Sequence, residues 1–354
     1  MSELELIAAL SDAFGPSGFE DEVLSVLRTY APEGYSVTED SLRNLYLRHL
    51  EEESKPVVML DAHSDEVGFM VQAIRPDGTL KFIPLGGWTA SNIPAHRVKV
   101  RARDGRLLAG ITGSKPPHFL TEAEKNKAPD VGAMWIDVGA SSISEAKDCF
   151  DIRPGAPVAP DVTFEYDADH DLMLGKAFDN RLGCAAVLST LRALSGESLA
   201  VNAVGAIAAQ EEVGTRGASV TARRVKQQIA IVFEGAPADD RGTESWMIQT
   251  AVHKGPMLRH IDTRMITNPR FQRFALDLAE ELGIPVQEAV RSGGSTDGAP
   301  IHLSEEGIPC IVIGFPVRYA HTHYGIASLD DFRNGVRLAV EIIRRLDKET
   351  IAGF

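Results

Sequence analysis

Cysteine is scarce in this chain of 354 residues, which contains only Cys149, Cys184 and Cys310. Three cysteines that lie far apart form neither an even-numbered disulfide framework nor the close C-x-x-C pairs of many zinc sites. This pattern excludes a small secreted fold that is held together by disulfides. We expect free, buried thiols and a protein of the reducing cytoplasm.

Long hydrophobic runs and dense clusters of positive charge are also lacking. No stretch reaches the roughly 18 consecutive apolar residues that suggest a membrane span. The N-terminal segment MSELELIAALSD carries early acids and does not resemble a signal peptide. The formal net charge is −14, and no Lys/Arg block overrides it locally. This charge disfavours nucleic acid and anionic membranes as partners.

Two common hydrolase motifs are missing as well. Neither the H-E-x-x-H of zincins nor the G-x-S-x-G of serine hydrolases occurs in the chain. The sequence therefore gives no motif that would place the protein among the zincins or the serine hydrolases.

Hydrophobic patterning divides the chain into two kinds of segment. Residues 68–163 contain short β-type runs around the turns Asp77-Gly78 and Asp104-Gly105, and Asp-Gly is a strong hairpin signal. Residues 1–67 and 164–354 instead alternate strand and helix patterns, which indicates a sheet covered by helices. The sequence thus predicts an α/β domain interrupted by a small β insertion. The polar stretch 121–130 is predicted to be a loop.

The predicted elements of the α/β part are marked by apolar runs and capping signals. Pro269 and Gly283 bracket one helix, and Ser328 caps another. The predicted helices are 181–194, 268–283 and 328–349. The predicted strands are 56–62, 200–210, 228–235 and 309–316.

Two short motifs supply the first candidate site residues. In DAHSDEVG (61–68), His63 follows a predicted strand, and Asp65 is placed to fix the tautomer of a metal-ligating imidazole. In KAFDNRLG (176–183), Asp179 precedes a helix, where it is either an N-cap or a carboxylate that bridges two cations. Sites in α/β sheets collect at the carboxyl ends of the strands.

Acidic and histidine residues also follow three later strands. Glu211 and Glu212 end the buried run AVGAIAAQ, and two adjacent carboxylates beside buried surface are costly unless a cation is present. Neighbouring residues of a strand face opposite sides, so an irregular end is needed if both are to serve one site. One of the two would ligate metal and the other would act as a general base. Glu234 ends the run IAIVF, and His321 and His323 follow CIVIGF.

Each of these residues alone has an ordinary structural explanation, but clusters at five strand exits favour one shared metal site. Two imidazoles and three carboxylates suit Zn²⁺ or Co²⁺ better than Mg²⁺. With Asp179 as a bridge, each of two metals would receive one His, one Glu and the shared Asp, as in two-metal hydrolases. The candidate ligands are His63, Asp179, Glu212, Glu234 and His321.

The motifs together resemble those of metallopeptidase family 42, the tetrahedral dodecameric aminopeptidases. The resemblance spans essentially the whole chain, and QEEVGTRGA with KAFDNRLGC is its most specific part. The matching motifs are PSGFE (16–20), DAHSDEVGFMV (61–71), GSKPPHFLT (113–121), IDVGASS (136–142), KAFDNRLGC (176–184), QEEVGTRGA (210–218), GGSTDG (293–298) and PVRYAH (316–321).

The resemblance implies a fold and an assembly. It implies a three-layer α/β/α aminopeptidase domain of the phosphorylase/hydrolase-like type, with an inserted PDZ-like β-barrel for dimerisation. The catalytic domain would comprise residues 1–67 and 164–354, and the inserted domain residues 68–163. The expected partners are a peptide substrate and further copies of the chain, in a dodecamer built from dimers.

The resemblance also implies roles for the site residues. His63, Asp179 and Glu234 would hold one metal ion, and Asp179, Glu212 and His321 the other. Glu211 would be the general base for a metal-activated water, and Asp65 would orient His63. Many family members carry Asp where this chain has Glu234, and Ser-Pro commonly follows the histidine at position 321. His323 therefore either lines the substrate pocket or has no role in it.

Other functions stay open at this stage. A two-metal carboxypeptidase or an N-acyl amide hydrolase would use the same metals, with Arg291 and Arg318 gripping a C-terminal carboxylate. A non-catalytic assembly protein with structural metals is a further alternative. The preferred N-terminal residue is not fixed by the motifs, although Lys254, Arg291 or Arg318 would favour an acidic side chain.

Overall fold

Seventeen β-strands lie within the part of the chain that the computed structural model describes, namely residues 2–50, 54–122, 127 and 129–354. They are β1 (Tyr35–Glu39), β2 (Leu45–His49), β3 (Val57–His63), β4 (Gly68–Ile74), β5 (Leu80–Leu85), β6 (Arg97–Arg101), β7 (Leu107–Gly113), β8 (Trp135–Asp137), β9 (Pro157–Pro160), β10 (Glu165–Asp167), β11 (Leu172–Gly175), β12 (Asn202–Ala208), β13 (Ile229–Pro237), β14 (Met257–Ile261), β15 (Gln287–Val290), β16 (Cys310–Val317) and β17 (Gly325–Ala327).

Eight of these strands form one mixed sheet in the order β1-β2-β12-β3-β13-β16-β14-β15. Its central strands β12, β3, β13 and β16 are mutually parallel. These strands are almost continuously apolar, as expected for strands with both faces covered. The parallel arrangement brings their carboxyl ends to one edge of the sheet.

The described residues also form nine α-helices, most of which cover the two faces of this sheet. They are α1 (Glu3–Asp12), α2 (Asp21–Thr29), α3 (Ile143–Asp148), α4 (Phe178–Ala193), α5 (Ala218–Val225), α6 (Pro269–Leu282), α7 (Gly298–Ile301), α8 (Leu329–Arg345) and α9 (Lys348–Ala352). Val58 and Leu60 of β3 pack in a large core with α1, α2, α4, α6 and α8. Met59 points the other way, into a smaller core with α5 and α7. The result is a three-layer α/β/α architecture.

A closed barrel forms from the β-type segment, in the strand order β4-β5-β8-β7-β6-β9. All of its strand pairs are antiparallel. The Asp77-Gly78 turn joins β4 to β5, and Gly78 has φ +87°. The Asp104-Gly105 turn joins β6 to β7, and Gly105 has φ +90°. Both glycines adopt the left-handed backbone for which the Asp-Gly pair is favoured.

Most predicted elements of the α/β part are confirmed within a few residues, but the last helix is shorter than predicted. It ends at Arg345 because Leu346 turns to an extended backbone and buries its side chain. Asp347 then caps a separate short helix by accepting a hydrogen bond from the Thr350 amide at 2.7 Å. A predicted helix of 328–349 is therefore two helices.

The structure also bears on the predictions for the cysteines, for membrane-spanning helices and for the 121–130 loop. Cys184 and Cys310 are buried as expected, whereas Cys149 is exposed because it follows the short surface helix α3. Among the described residues, no helix has the length and apolar character needed to cross a membrane. Residues 123–126 and 128 of the predicted 121–130 loop lie outside the described residues.

Candidate active site

The carboxyl ends of the parallel strands supply the first groups of the site. His63 is the last residue of β3, and it lies opposite Ala208, the last residue of β12. Glu234 lies in β13, in register with Gly314 of β16. The sheet order places β3 between β12 and β13, so side chains far apart in sequence meet at one edge.

Asp179 lies between two imidazoles, and each of its carboxylate oxygens faces one of them. Its Oδ1 is 3.2 Å from Nε2 of His63, and its Oδ2 is 3.3 Å from Nε2 of His321. Asp179 and Asn180 have non-helical backbone angles at the start of α4. The close approach of this segment requires Gly235, because a Cβ there would lie 2.4 Å from Cα of Asp179.

A buried ionic cluster anchors the segment that carries Asp179. Lys176 Nζ donates to both oxygens of Glu66, at 2.6 and 2.8 Å, and to the Ala13 carbonyl at 2.9 Å. Arg181 donates to Glu66 Oε1 at 3.2 Å and to carbonyls of the α1 end. All three charged side chains are buried, and each has several hydrogen-bond partners, which offset the cost of burying a charge.

Three groups of side chains have donor atoms close enough to share a metal ion. Within each group the ligand atoms lie within 4.8 Å of one another. The groups are His63 with Asp179 and Glu234; Asp179 with Glu212 and His321; and His63 with Glu211 and Glu212. The first two are the two ligand sets expected from the sequence.

The electrostatics of these groups are those of a cation site. Burial raises the pKa of Glu212 and of Glu234 well above the ordinary value, and the negative charge of Asp179 adds to this. Burial alone would lower the pKa of His63, but hydrogen bonding to Asp179 and Asp65 raises it well above the ordinary value. Carboxylates crowded in this way are costly to ionise unless a positive charge lies among them.

Glu211 and its neighbour Glu212 lie closest to different imidazoles. Burial raises the pKa of Glu211 to about 7, a shift that His63 limits and Asp65 increases. Its Oε2 lies 3.8 Å from Nε2 of His63, and Oε2 of Glu212 lies 3.5 Å from Nε2 of His321. A carboxyl group with a pKa near neutrality both accepts and releases a proton readily at physiological pH.

Asp65 has a broader set of contacts than the predicted one with His63. Its Oδ1 lies 3.4 Å from Nδ1 of His63, and its carbonyl oxygen lies 3.3 Å from the same nitrogen. It also accepts hydrogen bonds from the backbone amides of Glu211 at 2.9 Å and Glu212 at 3.2 Å, and from Ser17 Oγ at 2.6 Å. Asp65 therefore connects the end of β3 to the turn after β12.

Sequence reasoning missed several groups that position the site. Nδ1 of His321 is 2.8 Å from the carbonyl oxygen of Gly87, which belongs to the loop after β5 of the barrel. Ser17 lies in the PSGFE motif (16–20), and the sequence alone gives no role for its hydroxyl group. The contact of Gly87 could not be predicted from the sequence, because every residue has a backbone carbonyl.

A cleft of about 760 Å³ opens beside these residues. Its lining includes the candidate metal-site residues Glu211, Glu212, Glu234, Asp179 and His321, and also Arg259, Arg264, Arg291, Met247 and Val290.

The cations of the cleft differ in their partners. Arg291 is paired with Asp239 at 2.8 Å. Arg259 is paired with Asp262 at 3.2 Å. Arg264 is 3.4 Å from Thr215 Oγ1 and has no acidic partner among the residues described.

Three residues considered for the cleft do not line it. Arg318 is held by Asp240 through Nε, at 2.9 Å, and does not line the cleft. Lys254 does not line it either. His323 is buried against the barrel, stacked on His96 with ring centroids 4.2 Å apart, and it does not reach the cleft.

Comparisons with known proteins agree with this arrangement. Residues 44–338 match the family model described as M42 glutamyl aminopeptidase. The chain belongs to the M42 aminopeptidase family. It is 31% identical to the glutamyl aminopeptidase of Lactococcus lactis subsp. cremoris, with 99% of each chain covered.

Solved structures show the same fold. A TET aminopeptidase from a marine sediment Thaumarchaeota archaeon superposes with a TM-score of 0.94 at 36% identity, with 99% of each chain covered. The TET1 peptidase of Pyrococcus horikoshii, which can assemble into a tetrahedron or a large octahedral shell, superposes with a TM-score of 0.85 at 24% identity. That match covers 98% of this chain and 100% of the other.

Membership of the M42 family makes this chain a metal-dependent peptide hydrolase, and the donor set fits that requirement. The first two groups described above combine imidazole nitrogen with carboxylate oxygen and share one aspartate. The pKa values of Glu212 and Glu234 are raised by burial, and a divalent cation bound among them would lower these pKa values again.

Proposed function

We propose that the chain removes N-terminal residues from peptides at two divalent metal ions, most suitably Zn²⁺ or Co²⁺. His63, Asp179 and Glu234 would hold one ion, and Asp179, Glu212 and His321 the other. One observation carries this proposal: the two carboxylate oxygens of Asp179 face two different imidazoles, at 3.2 and 3.3 Å. A carboxylate in this position is suited to bridge two cations.

The catalytic cycle follows from the charge and position of Glu211. Two divalent cations, when bound, polarise the scissile carbonyl and make a water molecule acidic near neutral pH. Glu211 takes the proton from the attacking water and delivers it to the leaving amine. The pKa of about 7 suits both steps, and the carboxylate-rich surroundings favour the cationic α-amine of the substrate. Asp65 holds the backbone amides of Glu211 and Glu212 in place during this transfer.

Arg264 supports a preference for acidic N-terminal side chains. It lines the cleft without an acidic partner among the described residues, whereas Arg291 and Arg259 are already paired. A guanidinium in a partly enclosed cleft binds a carboxylate through charge-assisted hydrogen bonds. The relative in L. lactis is named a glutamyl aminopeptidase, which agrees with this preference.

The same arginine supports a second candidate function, a two-metal carboxypeptidase. In that case Arg264 would bind the C-terminal carboxylate of the peptide, rather than an acidic side chain at its N-terminus. An N-acyl amide hydrolase would need no free amine at all. The two ends of the substrate therefore distinguish the candidates.

The barrel supports a proposal for domain organisation and assembly. We assign residues 1–67 and 164–354 to the catalytic domain and residues 68–163 to an inserted domain that joins copies of the chain. The closed barrel leaves large apolar side chains exposed on its surface, among them Ile83, Leu107, Ile111 and Phe119. The assembly we propose is a dodecamer built from dimers.

The function is tested with metal-reconstituted protein and matched peptides. The panel contains Glu-, Lys- and Leu-initiated peptides, each with a free or acetylated N-terminus and with a free or amidated C-terminus. Cleavage that requires the free N-terminus and tolerates the amidated C-terminus supports the aminopeptidase. Cleavage that requires the free C-terminus supports the carboxypeptidase, and cleavage of acetylated peptides supports the N-acyl hydrolase.

Substrate ranking is tested on the same panel with Arg264→Gln. The expected result is a loss of cleavage of Glu-initiated peptides, while Leu-initiated peptides are still cleaved. An equal loss for both would contradict the role of Arg264 in side-chain selection.

A further inference from the structure

Three consecutive backbone amides after β12 are held by two carboxylates. The amide of Gln210 donates to Oε1 of Glu20 at 3.2 Å. The amides of Glu211 and Glu212 donate to the two oxygens of Asp65, at 2.9 and 3.2 Å. The backbone of the turn that carries the adjacent glutamates is thus held by side chains from other parts of the chain, with one hydrogen bond at each of three residues.

The carboxylate of Glu20 is buried and is held in this position by a second hydrogen bond. Its side chain is 1% exposed, and its Oε1 also accepts the amide of Gly18 at 2.7 Å. It stands at the N-terminal end of α2 and makes no side-chain cap there, because its carboxylate points to the turn instead. Its Oε2 is buried without a partner among the described residues. A carboxylate kept in such a place at a desolvation cost needs a compensating role.

The turn needs this support because its backbone departs from the strand. Gln210 has φ +56° and Thr215 has φ +50°, a left-handed conformation that costs a non-glycine residue of order 1 kcal/mol. In a continued strand Glu211 and Glu212 would point to opposite faces. In the observed turn, Oε2 of Glu211 is 3.8 Å from His63 and Oε2 of Glu212 is 3.5 Å from His321.

We propose that Glu20 is a positioning residue that acts through the backbone of Gln210 to hold Glu211 in place for proton transfer. This inference rests on the proposed function of Glu211. The hydrogen bond that matters is the one that Oε1 accepts, so an amide oxygen in the same place supports the turn equally well. Glu212 lies one residue further from Gln210 than Glu211 does, and Asp65 also holds its amide, so binding of metal is largely independent of Glu20.

Two nearly isosteric variants separate the acceptor from the volume of the side chain. Glu20→Gln keeps an acceptor oxygen, whereas Glu20→Met fills the same space without one. Glu22→Met is the matched control, because Glu22 lies on the same helix, is partly exposed and contacts Phe14 and Arg101 rather than the turn. The measurements are kcat and KM, metal content by elemental analysis, and amide hydrogen exchange of a peptide covering residues 209–215.

We expect Glu20→Met to lower kcat roughly 10- to 100-fold, as small displacements of a catalytic group do, with KM and metal content close to wild type. The 209–215 peptide of this variant should exchange faster, because the Gln210 amide has lost its acceptor. Glu20→Gln and Glu22→Met should stay within about threefold of wild-type kcat and keep wild-type exchange in this peptide.

Contrary results have separate meanings. Unchanged kcat in Glu20→Met, or an equal loss in Glu20→Gln, would overturn the positioning role. Loss of metal in Glu20→Met would also overturn it, since the effect would then be on the ligands. If the wild-type protein cleaves no peptide, the proposed function fails, while the exchange experiment still decides whether Glu20 holds the turn.

Discussion

The two adjacent carboxylates of the site, Glu211 and Glu212, have different surroundings. The turn after β12 sends Glu212 towards His321 and Asp179, and leaves Glu211 near His63 with a pKa of about 7. In the proposed mechanism this difference in position assigns metal binding to Glu212 and proton transfer to Glu211.

Substitution of Glu211 tests this division directly. We expect Glu211→Gln to keep both metal ions and to lose roughly 10²–10⁴-fold in kcat. The substitution removes the group that carries the proton but does not remove a metal ligand. Asp179→Asn is the contrasting variant and should lose metal, since Asp179 faces both imidazoles. Elemental analysis and steady-state kinetics measure both effects, and near-wild-type turnover by Glu211→Gln would contradict the proposed base.

The buried carboxyl group of Glu20 also predicts a dependence of stability on pH. Burial, together with the charge of Asp65, raises the pKa of Glu20 from its ordinary value of 4.5 to about 7. The folded protein therefore keeps a proton that the unfolded chain has released within this window. The stability contributed by Glu20 is complete below pH 4.5 and is lost as the pH rises through 7.

Thermal unfolding of wild type and Glu20→Gln at several pH values checks this dependence. Because glutamine does not titrate, the variant should gain stability relative to wild type between pH 4.5 and 7.5, by at most about 3 kcal/mol. A difference in melting temperature that stays constant across this range would show that Glu20 is ionised normally in the folded protein.

At the scale of elements, the site depends on how closely β13 passes the start of α4. Gly235 of β13 lies against the backbone of Asp179, and a Cβ there would be 2.4 Å from Cα of Asp179. Because the clash is with a backbone atom, rotating a side chain cannot relieve it.

We therefore expect Gly235→Ala to displace Asp179, to weaken metal binding and to lower the free energy of unfolding by about 1–3 kcal/mol, as overpacking does. Gly293→Ala is the control, because nothing lies within 4 Å of a Cβ at that position. Isothermal titration with Zn²⁺ and thermal unfolding measure the two effects. Wild-type affinity in Gly235→Ala would mean that α4 shifts without disturbing the site.

The elements were largely predictable from the sequence, and the reason is visible in β12 and β13. Their runs AVGAIAAQ and IAIVF are almost wholly apolar, so strand type and burial follow from the pattern. Parallel order then brings Glu211, Glu212 and Glu234 to one edge without further information. The helix predicted for 328–349 was wrong only at its end, where Leu346 leaves the helix to bury its side chain.

The supporting contacts were not predictable in the same way. His321 and Gly87 are 234 positions apart, and the contact uses a backbone carbonyl that any residue would provide. Arg291 and Arg318 were considered as groups that bind a substrate carboxylate, but Asp239 and Asp240 already pair with them. Such pairings depend on tertiary distance, which hydrophobic periodicity does not encode.

At the scale of the whole molecule, the exposed apolar side chains of the barrel bear on assembly. Ile83 on β5 is 43% exposed and Ile111 on β7 is 54% exposed, and neither contributes to the barrel core. Leu303, outside the barrel, is 70% exposed and serves as a control of similar character.

We expect the double variant Ile83→Lys/Ile111→Lys to form smaller particles than wild type, because charged side chains are poorly tolerated in the desolvated centre of an interface. Leu303→Lys should keep the wild-type mass. Light scattering coupled to size-exclusion chromatography measures the change, and identical masses for all three proteins would remove these barrel residues from the interface.

The bond between His321 and Gly87 has a consequence for how this architecture can change over evolutionary time. A metal-ligand candidate contacts a carbonyl of the barrel loop, so the barrel helps to position the candidate site. An ancestor or an engineered relative that exchanged the barrel would have to carry the Gly86-Gly87 loop across intact. The two modules are therefore expected to be inherited together rather than shuffled.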